Sequence, residues 1–115
     1  MAETMEVVKY NFAKQFSKNP GLRFRKLGDF SGEEFREDVL EKFFKENKRI
    51  LINLEDIESA LGASFLSEAF GNLAVKYGLE KFHKIVQIDT SNKIGEITNN
   101  EMLLRVKEAL ERQKR

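Results

Sequence analysis

The sequence predicts an α/β domain with a central mixed β-sheet of about four strands and crossover helices. Three observations carry this. Two short apolar runs, at 49–54 and 84–89, have strand length and flank a helix-length segment at 64–77. Ser31 and Glu34 have the spacing of a capping box and open another helical pattern. Strands alternating with helices favour parallel pairing through helical crossovers.

Taken in order, residues 5–10 (MEVVKY) read as a first strand, because valines precede a polar break. Phe12 and Phe16, four apart, suit a helical turn that Asn19-Pro20-Gly21 stops. Residues 22–27 (LRFRKL) alternate apolar with basic, the pattern of a half-buried strand, and Gly28-Asp29 follows as a turn. The helix opened at Ser31 is expected to run to about Asn47. Its apolar stripe is Phe35, Val39, Leu40, Phe43 and Phe44. Residues 49–54 (RILINL) are nearly continuous in apolar character, as in a strand covered on both faces. A loop spans 55–62, and the helix after it ends near Tyr77-Gly78. Residues 84–89 form the next strand and 90–100 a loop. Residues 101–113 form a last helix with Leu103, Val106 and Leu110 inward.

The helix around GASFLSEAFGNLA (62–74) has an unusual polar side. Phe65, Leu66, Ala69, Phe70 and Leu73 fall on one half, and Ser64, Ser67, Glu68 and Gly71 on the other. An exposed face ordinarily carries long charged residues, and a helical glycine costs about 1 kcal/mol relative to alanine. Two readings fit. The small face lies against a neighbouring segment of its own fold, or it docks a partner. On the second reading, arginine at Gly71 or Ser67 removes binding and leaves the fold intact.

Other residues narrow the chemistry. Arg36 points to the inward side of its helix, so its guanidinium needs a carboxylate; Glu68, Glu33 and Asp56 are candidates. Lys18, Arg23, Arg25 and Lys26 surround Phe24 as a small basic patch, fitting either an anion contact or a solvated strand edge. His83 is the only histidine, read as a loop or strand-edge residue, and there is no cysteine. Sites of several imidazoles or thiolates are therefore excluded. No phosphate-binding loop occurs, no cofactor or metal is expected, and nothing amounts to an active site. The expectation is a protein that is not an enzyme.

Composition agrees with a single folded domain, 1–115: 41% of residues are hydrophobic, 34% are charged and the net charge is +1. Near-neutral charge argues against nucleic acid as the main partner. The opening residues lack the apolar run of a leader, and no segment has membrane-spanning length, so a cytoplasmic location without membrane contact is expected.

The order ILINLEDI (50–57), loop, ASFLSEAFGNL (63–73) resembles the STAS fold of bacterial anti-sigma-factor antagonists. It is closer to the STAS-like domain family formerly known only as a domain of unknown function. PGLRFRKLGDFSGEEFREDVL (20–40) and SFLSEAFGNLA (64–74) carry that closer likeness. The resemblance implies a bacterial signalling module with a histidine-kinase-type ATPase as partner. In the antagonists, a serine after an aspartate at this helix start accepts phosphate. Gly62 and Ala63 occupy those two positions here, and Ser64 follows one residue later as the candidate acceptor. Asn53 stands where the strand commonly holds aspartate.

Two functions follow as expectations. The first is a regulatory interaction module docking its partner through Ser59, Ser64, Ser67, Glu68 and Gly71. The second is a small-ligand or nucleotide sensor using Arg23, Arg25 and Arg36 as anion contacts. A homodimer is compatible with both.

Overall fold

The computed structural model describes residues 5–114. Strand β1 (Val7–Asn11) leads into a single helical turn, α1 (Phe12–Gln15), capped by the Asn11 side chain, which accepts from the Lys14 N–H. Helix α2 covers 32–46 in three consecutive segments, Gly32–Phe35, a π-helical Arg36–Leu40, and Glu41–Glu46. Strand β2 (Arg49–Asn53) follows. Helix α3 covers 63–77 with the same construction: Ala63–Leu66, a π-helical Ser67–Gly71, and Asn72–Tyr77. Then come α4 (Leu79–Ile85), β3 (Val86–Ile88) and the long α5 (Lys93–Gln113).

The sheet has three strands in the order β1-β2-β3, and both pairings are parallel. The runs at 49–54 and 84–89 are thus parallel neighbours, as the alternation predicts. Among the described residues the sheet is therefore parallel and three-stranded, and not the expected mixed sheet of about four strands. Residues 22–27 instead make a loop with a 3₁₀ turn at Arg25–Leu27. The reason lies in α2, whose first N–H groups have no partner within the helix. The Gly32 N–H donates to the Leu22 carbonyl (2.9 Å) and the Glu33 N–H to the Arg23 carbonyl (3.0 Å). A segment whose carbonyls cap a helix is not available to extend a sheet.

Side-chain alternation places Val8 and Tyr10, Ile50 and Ile52, and Val86 and Ile88 on the face that the helices cover. The opposite face holds Val7, Lys9 and Gln87, all exposed, and a half-buried Leu51. β2 is therefore covered on one face, not both. The core between sheet and helices is aromatic. Phe12 and Phe35 meet edge to face with ring centroids 5.0 Å apart, and Phe65 and Phe70 join them.

Further expectations are corrected. α5 begins at Lys93, where Asn92 caps it by accepting from the Gly95 N–H at 2.8 Å, so most of 90–100 is helix. Its inward stripe is Ile94, Thr98, Met102, Val106 and Ala109, while Leu103 is exposed and Leu110 half-buried. Residues 84 and 85 end α4 instead of opening a strand, and His83 is an exposed residue of that helix.

Candidate functional site

The β2–α3 loop and the start of α3 lie against the 18–32 segment, and three sets of contacts hold them there. The Glu58 N–H donates to the Lys18 carbonyl (2.8 Å), and the Ser59 hydroxyl donates to Asn19 Oδ1 (3.2 Å). Arg23 Nε–H reaches the Ser64 carbonyl at 3.4 Å. Gly32 lets α2 come close: a Cβ there would meet the Phe65 carbonyl oxygen at 2.7 Å. The capping serine behaves as its spacing predicts, accepting from the Glu34 N–H at 3.0 Å. Glu34 reaches back one residue further than the usual box, to the Phe30 N–H.

The structure divides the five residues of the polar side of α3. Ser59 and Ser64 are exposed and Ser67 is half-buried. Glu68 and Gly71 are buried and offer a partner no surface. Gly71 faces α5, where an added Cβ would stand 3.1 Å from the Ala109 Cβ. The small residue at 71 thus serves internal packing, and arginine there would displace α5 instead of folding normally.

Glu68 answers the question of Arg36. Arg36 Nη2 donates to Glu68 Oε2 at 2.9 Å and its Nε–H to the Glu68 carbonyl at 3.1 Å. The two side chains are only 19% and 11% exposed. Asn72 Nδ2 donates to the same carboxylate oxygen at 2.9 Å. The first residue of one π segment and the second of the other make this pair, so the widened turns of α2 and α3 meet at a part-buried ion pair.

A second link joins the same helices. Glu41 accepts from Lys76 Nζ (2.8 Å) and the Tyr77 hydroxyl (2.6 Å). Burial opposes the Glu41 charge, yet these hydrogen bonds outweigh it and hold the carboxyl below its ordinary value. The hydrogen bond to Glu41, helped by burial, raises the Tyr77 phenol above its usual range. Tyr10, against the core, is pushed up to about 12 by burial.

The three arginines proposed as anion contacts are each engaged by different protein acceptors. Arg36 holds Glu68, and Arg25 pairs with Glu37 (3.0 Å) and Asp38 (2.8 Å). Arg23 reaches the Ser64 carbonyl. Sequence reasoning missed the apolar crest of this loop. Leu22 is 58% and Leu27 53% exposed, where a half-buried strand would have hidden them. Phe24 stands between them under Arg23 and Lys26, whose cations lie 5.8 and 5.7 Å from its ring centre. The bracketing Pro20-Gly21 and Gly28-Asp29 were the available signal for a loop. Phe30 at its end has φ +58°, a left-handed conformation that bulky residues rarely adopt.

Among the described residues no three histidine, aspartate or glutamate side chains form a metal-holding group, and no helix is long and apolar enough to cross a membrane. The chain is an α/β domain with its helices on one face of a parallel sheet and a loop-and-helix surface at one end. Residues 31–96 match the family described as STAS-like domain of unknown function (DUF4325), and the chain belongs to that family. The match runs from the cap of α2 to the start of α5, and so includes the second quoted block and only the end of the first. No curated protein and no solved structure matches the chain significantly.

Proposed function

We propose that the protein is a regulatory interaction module that docks a partner protein, such as a histidine-kinase-type ATPase, and catalyses nothing itself. The docking surface is the accessible remainder of the expected one, the exposed Ser59 and Ser64 and the half-buried Ser67, together with the crest of the 22–30 loop. The observation that carries this reading is Leu22 and Leu27, more than half exposed on a loop tied by backbone hydrogen bonds to α2. Large apolar side chains held out rigidly cost little entropy on binding, which suits a contact surface. Membership of a STAS-like family supports a regulatory role. Ser64 remains the candidate phosphate acceptor, since its side chain is exposed at the start of α3.

The test is affinity measurement against histidine-kinase-type ATPase domains from the same genome. Leu22→Glu, Leu27→Glu and Ser67→Arg are each expected to weaken binding about tenfold or more, or about 1.4 kcal/mol, without moving the melting temperature. A partner bound equally by all three variants would refute this surface.

A further inference from the structure

The carboxyl ends of the three strands form a second site, beside the first residues of the β2–α3 loop. Register places Asn11 beside Asn53, and the Asp89 N–H donates to the Ile52 carbonyl at 2.8 Å, which sets Asp89 at the end of the same row. Here a cavity of about 400 Å³ opens, lined in part by Lys9, Asn11, Gln15, Leu51, Asn53 and Asp89. Ligands of open parallel sheets commonly sit outside the carboxyl ends of the strands, in cavities of about 300–1,000 Å³.

The hydrogen bonds inside the chain decide what this cavity offers. Asn53 Oδ1 accepts from the Glu55 N–H (2.8 Å) and Gln15 Oε1 from the Asn11 N–H (2.8 Å). Both amides are thereby fixed in orientation, with their acceptor oxygens engaged. Their NH₂ groups make no hydrogen bond among the described residues and are left as donors. Lys9 Nζ forms no ion pair within 4.0 Å among those residues and adds a third donor group, charged. Across β2 stands Asp89, one oxygen accepting from the Ser91 N–H at 2.9 Å. Hydrogen bonds from Ser91 hold its carboxyl below the ordinary range, so it is anionic at neutral pH.

One cation with two amide donors, and one carboxylate, therefore face a common space. Lys9 on β1 and Asp89 just past β3 lie two strand spacings apart, about 10 Å, and the side chains shorten the gap. A simple anion would satisfy the donors and be repelled by Asp89. A ligand of zero net charge with separated charges satisfies both ends. We propose that this crevice binds a free zwitterionic α-amino acid, its carboxylate on Lys9, Gln15 and Asn53 and its ammonium on Asp89. The proposal uses none of the docking residues and none of the engaged arginines.

The experiment is an NMR titration of the ¹⁵N-labelled full chain with each standard amino acid up to about 10 mM, a range reaching millimolar affinities. Lactate, ethylamine and inorganic phosphate are titrated beside alanine. At least one amino acid is expected to shift the amides of Lys9, Asn53 and Asp89 saturably, with the three control compounds at least tenfold weaker. Asp89→Asn keeps the acceptor for Ser91 and Lys9→Gln changes an exposed side chain. Both are expected to melt like the wild type and to bind at least tenfold more weakly. No saturable shift with any amino acid, phosphate binding as tightly, or variants binding like the wild type would overturn the assignment.

Discussion

Replacing Arg36 by leucine isolates the link between the two long helices. It removes a guanidinium making a 2.9 Å ion pair and a 3.1 Å bond to a main-chain carbonyl. What remains is the Glu68 carboxylate, 11% exposed, with Asn72 as its only side-chain donor among the described residues. An exposed pair contributes about 0–1 kcal/mol, and breaking a buried one costs about 3–5 kcal/mol. With both side chains less than one-fifth exposed, the expected loss is about 2–4 kcal/mol. For a domain of this size that lowers the melting temperature by about 8–16 °C. Arg36→Leu, Glu68→Leu and the double variant complete a cycle, measured by urea unfolding and thermal melts. The double variant leaves no buried charge unpaired, so it should be more stable than the sum of the single losses by about 1.5–3 kcal/mol. An Arg36→Leu melting point within about 2 °C of wild type, or strictly additive losses, would refute the reasoning.

Two further outcomes are expected. Gly71→Leu should destabilise by about 1–3 kcal/mol as its side chain enters the contact with Ala109. Gly71→Ala should lie near neutral, because a helix-propensity gain of about 1 kcal/mol offsets a tight Cβ contact; melts in which leucine is tolerated as well as alanine would contradict the packing. Glu41 ionises below its ordinary 4.5 in the folded state, so its contribution is present above that value and lost as pH falls through the folded value. Glu41→Gln should therefore lose less stability than wild type between pH 7 and the acid range, and identical acid dependence in urea unfolding would exclude this role.

The helical half of the fold was legible because its signals are local. Ser31 announces α2, the stripe from Phe35 to Phe44 is where the core lies, and Arg36 on the inward side required the carboxylate that Glu68 supplies. The misreadings arose where distant groups decide. The alternation in 22–27 has strand periodicity, but the competing demand came from the N–H groups of Gly32 and Glu33. The first turns of α5, KIGEIT, carry few large apolar residues, so the cap at Asn92 was hidden in what looked like loop. Leu51 made β2 look doubly covered, although its neighbours in the row are Lys9 and Gln87. The site divided in the same way. Spacing identified Gly71 as a close approach, but only the position of α5 reveals that the approaching element is the chain's own.

The parallel pairing also sets the order in which this chain can acquire its shape. Val7 pairs with Arg49 and Ile50 with Val86, so no strand has a partner nearby in sequence. Each pairing must close a long loop before any ladder bond rewards it, which places the domain among slower folders of its length. During synthesis at about 5–20 residues per second, β1 waits about 2–8 s before β2 emerges. Helix α2, with its own cap and aromatic stripe, is complete in that interval and can shelter Tyr10 and Phe12 through Phe35 before any sheet exists.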